Sequence, residues 1–257
     1  MIKRGIWLPL FDELADPRVV AGLAAEAEEA GWDGFFVWDH VHWYAPVRAV
    51  ADPWITLSAI AVATERLRIG PMITPLARRR PAKVARETAT LDLLSGGRLT
   101  LGVGLGSDRY GGEYSRFGEE CEDRARAAML DESLAILHAA WSGEPVRHSG
   151  AHHTVDDVRF LPAPGDIPVW VAGYPGKKGP MRRALGESGF FPVNLDSADH
   201  LAEIVATMRP DRPYDFVVSL ADGVDPAPYE RAGATWWLTH FDPHTITLAQ
   251  ARATLHG

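Results

Sequence analysis

ERLRIGPMITPLARRRPAKVARETATLDLLSGGRLTLGVGLG (65–106) reads as strand, helix, strand. LRIGPMI (67–73) and LTLGVGL (99–105) are short and almost wholly apolar, with no polar residue at every second position. Strands that lack such alternation are buried on both faces, the habit of parallel sheets covered by helices. Between them Pro81 opens a helix that carries Val84, Thr88, Leu91 and Leu94 and ends at Ser95-Gly96-Gly97. Pro71 and Pro75 stand where a central strand tolerates neither, so irregular backbone is expected at the end of the third strand.

The same pattern extends outward. Further apolar runs are IWLPL (6–10), FFVW (35–38), VWVAG (169–173), FFPV (190–193), FVVSL (216–220) and TWWL (235–238). Asp16-Pro17 and Asp52-Pro53 each supply an N-cap and a first-turn proline, and Val20, Leu23, Ala24, Ala27 and Ala30 form one apolar stripe closed by Gly31. Eight strands alternating with helices, each crossover right-handed, make either a closed barrel or an open doubly wound sheet, and eight is the barrel's number. The expectation is an α/β fold, an eight-stranded parallel (β/α)8 barrel, with residues 1–257 as one domain and a short final helix within 242–257. Residues 106–167 hold one helix (about 122–141) and a polar stretch read as an excursion or small hairpin over the barrel mouth.

Lys+Arg 26 against Asp+Glu 34 gives a net charge of −8, which disfavours nucleic acid as a partner. The opening MIKRGIWLPLFDELAD turns acidic too soon for a signal peptide, and no stretch reaches membrane-spanning length, so a cytoplasmic protein with no membrane association is expected. The single cysteine, Cys121, lies in the polar GEECEDR and excludes an internal disulfide.

In a parallel barrel the loops after the strands converge on one rim, so the residues behind each apolar run are the functional candidates. Behind the second run stands Trp38-Asp39-His40-Val41-His42-Trp43-Tyr44. Its aromatics can wall a flat conjugated ring, and His40 can hydrogen-bond to it or move a proton near neutral pH. Equally, Asp39 and His40 could only cap and orient the loop. Behind the fourth run, Gly102, Gly104 and Gly106 lead into Ser107 and Asp108; they allow close backbone approach or a barrel bend, and are not a dinucleotide fingerprint. Behind the fifth, Gly173-Tyr174-Pro175-Gly176-Lys177-Lys178 runs into a helix with Arg182 and Arg183, either a phosphate cradle or a solvated basic turn. Arg78-Arg79-Arg80 reads as a solvated rim that an anionic cofactor tail could meet. Trp236 and Trp237 read as core.

At these residues the chain resembles the luciferase-like monooxygenase superfamily. The matching segments are AEEAGWDGFFVWDH, the 65–106 block, EYSRFGEE, IPVWVAGYPGKKGPMRRA and YERAGATWWL, spread in order over nearly the whole chain. The resemblance implies a barrel oxidoreductase or monooxygenase carrying FMN or the deazaflavin coenzyme F-420, the latter favoured, and acting on a small-molecule substrate. It implies that His40 and Asp39, the expected catalytic pair, lie beside the ring and that Met72-Ile73 is a non-proline cis peptide buttressing it. It further implies that Gly173 and Gly176 form a phosphate turn. With Gly104, Gly106, Ser107, Tyr174 and Lys177, these are the expected cofactor-binding residues; no metal is expected. Family habit also implies a homodimer through the helices at 52–64 and 81–95. Two departures stand out: Ser107-Asp108 occupies the place where several deazaflavin dehydrogenases carry a glutamate, and the large insertion after the seventh strand is reduced to ADGVDPAP (221–228). The rival readings are a metal-dependent barrel hydrolase, with His40-x-His42 as a clamp completed by His240 or Asp196, and a non-catalytic flavin-binding protein.

Overall fold

The structure, a computed structural model, describes residues 2–256. Eight parallel strands form a closed barrel: β1 (Lys3–Leu8), β2 (Gly34–Val37), a third strand split into β3 (Arg68–Pro71) and β4 (Thr74–Pro75), β5 (Leu101–Gly104), then β8 (Val169–Gly173), β9 (Gly189–Pro192), β10 (Asp215–Ala221) and β11 (Trp236–His240). The order β3-β2-β1-β11-β10-β9-β8-β5-β4 begins and ends on the two halves of the third strand. Ile69 pairs with Leu99 across that seam, and Thr100 N donates to Ile69 O at 2.8 Å, so the ring closes. The interruption falls at Met72-Ile73, between the two prolines that made the strand irregular on sequence grounds.

Helices α1 (Pro17–Glu29), α2 (Pro53–Ala63), α3 (Pro81–Ser95), α4 (Asp123–Trp141), α5 (Lys178–Leu185), α6 (Ala198–Met208), α7 (Ala227–Arg231) and α8 (Leu248–Leu255) follow the strands in turn. Their ends are set locally. The Asp16 and Asp52 side chains accept from Arg18 N and Ile55 N behind first-turn prolines, and Gly96 closes α3 in the left-handed region at φ 68°. Among the described residues no helix is long and apolar enough to cross a membrane.

The core has two layers. Leu8, Leu23, Phe35, Leu57, Ile69, Leu91, Leu101 and Leu137 fill the space between strands and helices. Inside the ring Phe36, Met72, Trp170, Phe191, Val217, Trp236 and Leu238 pack together, with Phe36, Trp170 and Trp236 as a triangle with centroids 5.2–5.9 Å apart. The barrel is therefore plugged below and open only at its C-terminal rim.

One expectation is corrected. The 145–159 excursion is a hairpin, β6 (Pro145–Ser149) antiparallel to β7 (Thr154–Arg159), but it does not cover the mouth. It follows α4, whose C-terminus lies at the opposite end from the rim, and it leans on the outside of α4 and α3. Glu132 of α4 accepts from the backbone N–H of Ala151, His152 and His153 at 2.8–3.2 Å, and Arg86 of α3 donates to Leu161 O at 2.6 Å.

Candidate functional site

A cavity of about 1080 Å³ opens at the C-terminal rim, and every barrel strand contributes to its wall. Trp7 comes from β1, Trp38, Asp39 and His40 from behind β2, Met72 and Ile73 from the split third strand, and Gly106 and Ser107 from behind β5. Gly173 and Tyr174, Phe191 to Leu195, Ser219, Ala221 and Asp222, and His240 to Asp242 complete the circle.

His40 is held by a residue 73 positions away. Its Nδ1–H donates to Glu113 Oε2 at 2.8 Å, since a carboxylate can only accept, and this leaves Nε2 as the imidazole's free nitrogen. Glu113 Oε1 accepts from Val41 N at 2.6 Å and lies 2.6 Å from Arg78 Nη1. Burial pushes the Glu113 carboxyl up, but the hydrogen bond and charge of His40, with Arg78, outweigh it and hold the group below the usual carboxylate range. Glu113 lies in the EYSRFGEE stretch and was not singled out from sequence. Nothing local distinguishes it from the neighbouring acids; only its burial to 2 % exposure does.

Asp39, also 2 % exposed, is fully engaged. Thr74 Oγ1 donates to its Oδ2 at 2.9 Å, Arg78 Nη2 to Oδ1 at 3.0 Å, and Arg79 donates through Nε and Nη2 at 3.1 and 2.8 Å in a two-pronged pair. Arg78 and Arg79 are thus no solvated rim. They turn inward and neutralise the two buried carboxylates, which could not otherwise remain charged in the interior.

The floor is aromatic. Trp7 lies 5.3 Å from both Trp38 and Phe191, and its indole N–H donates to Met72 O. The Met72-Ile73 peptide is cis and both residues line the cavity. Gly104 does not line it: a Cβ there would stand 2.3 Å from Ile73 Cδ1, so its role is to admit the Ile73 side chain. Gly106, at φ +68°, and Ser107 do line the cavity, on a loop braced from behind by Tyr114 OH donating to Leu105 O at 2.7 Å and by Arg126 over the Tyr114 ring. Asp108 points away, and a hydrogen bond from the Ser115 side chain, with one from Tyr114 N to its Oδ1 at 2.8 Å, lowers its pKa.

Behind β8, Gly173 and Tyr174 reach the cavity, whereas Gly176 and Lys177 sit in the turn outside its lining. Gly173 is required by packing, because a Cβ would meet Pro180 Cβ of α5 at 2.3 Å. Gly176 takes φ +76° with open space around it, the demand of a turn. His42 turns from His40 and bonds through Nδ1 to Gly111 O at 2.7 Å, and among the described residues no three His, Cys, Asp or Glu side chains are grouped to hold a metal ion. The far wall comes from 241–254, where Asp242, Thr245, Ile246, Gln250 and Thr254 stand in the place that the excursion was expected to cover. Arg183 is the one Lys or Arg in the described lining, and Asp131 takes its Nε and Nη2 at 2.5 and 2.9 Å.

The sequence model of the luciferase-like monooxygenase family matches residues 6–232. An F420-dependent glucose-6-phosphate dehydrogenase from Beutenbergia cavernae is 36% identical over 161 residues, 60% of this chain and 45% of that protein. The chain therefore spans about half the length of the curated relatives it matches. Among solved structures, the coenzyme F420 dependent tetrahydromethanopterin reductase from Methanopyrus kandleri superposes with a TM-score of 0.78 at 16% identity, covering 99% of this chain and 97% of that one. An F420-dependent secondary alcohol dehydrogenase, solved with an F420-acetone adduct, gives a TM-score of 0.74 at 24% identity, covering 99% and 83%.

Proposed function

The chain belongs to the luciferase-like monooxygenase family, and from that premise we propose that it is an oxidoreductase whose rim cavity holds the deazaflavin coenzyme F-420, in preference to FMN, beside a small uncharged organic substrate. The observation that carries this reading is the His40–Glu113 pair standing over an aromatic floor in one rim cavity. Relatives named for F420 dependence weigh toward the deazaflavin.

The residues present fit such a group. The cavity exceeds the roughly 300–1,000 Å³ of ordinary ligand pockets, room for a tricyclic ring with a small molecule beside it. Trp38 Nε1, a buried donor without a partner on a residue that lines the cavity, is available to a ligand acceptor. Trp7, Trp38, Met72 and Ile73 would hold the ring, and Gly106, Ser107, Gly173 and Tyr174 would border it. The turn carrying Gly176 and Lys177 at the start of α5 would take the anionic tail, helped by the helix's positive end.

When bound, the deazaflavin supplies two-electron hydride transfer. This chain's own residues handle the proton and the geometry. His40 Nε2 takes or gives a proton at the reacting oxygen, Glu113 fixes the ring by holding Nδ1–H and stabilises the imidazolium, and Asp39 positions Arg78 and Arg79 so that Glu113 stays charged. The 241–254 segment limits water. A phosphorylated substrate is disfavoured, because Arg183 is tied to Asp131 and Asp222 and Asp242 add negative charge to the wall. Residues 1–257 act as a single catalytic domain in this reading.

We further propose a homodimer. Ile55, 64 % exposed, and Val62, 74 % exposed, form an apolar outer stripe on α2, with Leu93 and Leu94 exposed on neighbouring α3. Titrating the protein with F-420 and with FMN, followed by fluorescence, tests the cofactor assignment. Tighter binding of the deazaflavin is expected; FMN binding at least tenfold tighter would reverse the preference, and binding of neither would defeat the reading.

A further inference from the structure

A second imidazole faces the same cavity from the side opposite His40. His240 ends β11, and the strand register sets it beside Ala221 of β10 and Trp7 of β1. Its Nδ1 lies 2.7 Å from Ser219 Oγ of β10, and both residues line the cavity. Centroids 5.3–6.5 Å apart carry the row His240, Trp7, Trp38, His40 across the floor. The two histidines thus bracket one aromatic shelf.

Their partners differ in kind. His40 is bonded to a carboxylate, whereas His240 is bonded to a hydroxyl and is half buried, and burial pushes its pKa down. The acids that share its wall hydrogen-bond to other groups, Asp222 Oδ2 accepting from Thr254 Oγ1 at 3.0 Å and Asp242 Oδ1 from His244 N at 2.9 Å. A neutral imidazole has one donor and one acceptor nitrogen, and a serine hydroxyl that donates to Nδ1 leaves the proton on Nε2. One imidazole bonded to a carboxylate and one bonded to a hydroxyl can divide the roles of proton carrier and neutral donor.

We propose that Ser219 donates its hydroxyl proton to His240 Nδ1, fixing the tautomer in which His240 Nε2–H faces the cavity and donates a hydrogen bond to a carbonyl or hydroxyl oxygen of the bound substrate. His240 is the ligand-contacting group and Ser219 its positioning residue. No proton is transferred from His240 in this arrangement: it polarises the oxygen while His40 carries the proton. The inference rests on the oxidoreductase reading for the identity of the ligand, but not for the tautomer.

The test uses the full chain labelled with 15N-histidine and long-range proton–nitrogen spectra at pH 7, with His240→Gln to identify the signals. The wild type is expected to show His240 as the neutral Nε2–H tautomer. Ser219→Ala should move the tautomer ratio about tenfold, the equivalent of one hydrogen bond, and Ser219→Thr should restore it. Saturating F-420 with acetone as carbonyl probe should then shift the His240 Nε2 signal. A wild-type imidazolium, an Nδ1–H tautomer, or a ratio indifferent to Ser219→Ala overturns the pair. An Nε2 signal unmoved by bound F-420 and acetone overturns the ligand contact. Binding of neither F-420 nor FMN defeats the oxidoreductase reading and with it that contact, while the tautomer result still decides the pair.

Discussion

Glu113→Gln isolates the function of the buried carboxylate with almost no change in shape. Glu113 accepts on both sides, from Val41 N and beside Arg78 at Oε1, and from His40 Nδ1 at Oε2. An amide has only one oxygen. If it stays toward Val41 N and Arg78, the NH2 faces His40 and forces Nδ1 to become an acceptor. His40 then presents Nε2–H to the cavity and loses the lone pair that would accept a proton, so turnover with F-420 is expected to fall about 10²- to 10⁴-fold, the usual worth of a positioned acid or base. Stability falls as well. Breaking a buried pair costs about 3–5 kcal/mol, but Arg78 keeps Asp39 at 3.0 Å, so about 2–3 kcal/mol is expected, or roughly 5–10 °C in Tm for a chain of this size. The pH dependence has a definite sign: a carboxyl held below its ordinary range stabilises the fold above the unfolded value of about 4.5, and this contribution is lost as pH falls through the folded value. Glu113→Gln should flatten that part of the Tm–pH curve. Thermal melts from pH 3 to 7 and histidine spectra at pH 7 measure both effects. Retention of Nδ1–H on His40 together with a Tm within 2 °C of wild type would refute the reasoning.

Trp236→Ala should cost about 3–5 kcal/mol in denaturant unfolding, because it opens a hole between Phe36 and Trp170 that the closed ring cannot collapse around; a cost below about 1 kcal/mol would contradict the plugged barrel. Glu132 is pushed up by burial but brought to about 2 by the backbone N–H of His153, the His148 side chain and the N–H groups of His152 and Ala151. Hydrogen exchange at 151–153 should therefore quicken as pH falls from about 4.5 toward 2, beyond the intrinsic change, and Glu132→Gln should show fast exchange at pH 6; identical exchange in the variant would mean that the hairpin is held by something else. Val62→Lys places a charge in the apolar stripe of α2 and should halve the mass seen by light scattering at micromolar concentration, and a wild-type monomer would count against the dimer.

Much of the barrel was legible in the chain alone, for local reasons. Eight apolar runs, Asp-Pro helix starts and glycine stops are short-range signals, and each of the eight barrel strands overlaps one of those runs. The irregular third strand was legible too, since Pro71 and Pro75 cannot sit in unbroken ladder. The parallel rim followed from topology, which is why His40, Asp39, Met72, Ile73, Gly106, Ser107, Gly173 and Tyr174 share one cavity. Local pattern placed the hairpin but not its side: an element that follows a helix returns at the end away from the rim.

What sequence could not supply were the partners. Glu113 and His40 are 73 residues apart, and Ser219 and His240 are 21 apart on neighbouring strands. Arg78 and Arg79 look like any basic run until Asp39 and Glu113 are seen buried beneath them. Gly104 and Gly173 read as ligand approach, yet each is small to admit Ile73 or Pro180. Propensity and periodicity are set within a few residues along the chain and so determined the elements and their rim. The charge state, tautomer and orientation of a side chain are set by what packs against it from other strands, and only the closed barrel decided that.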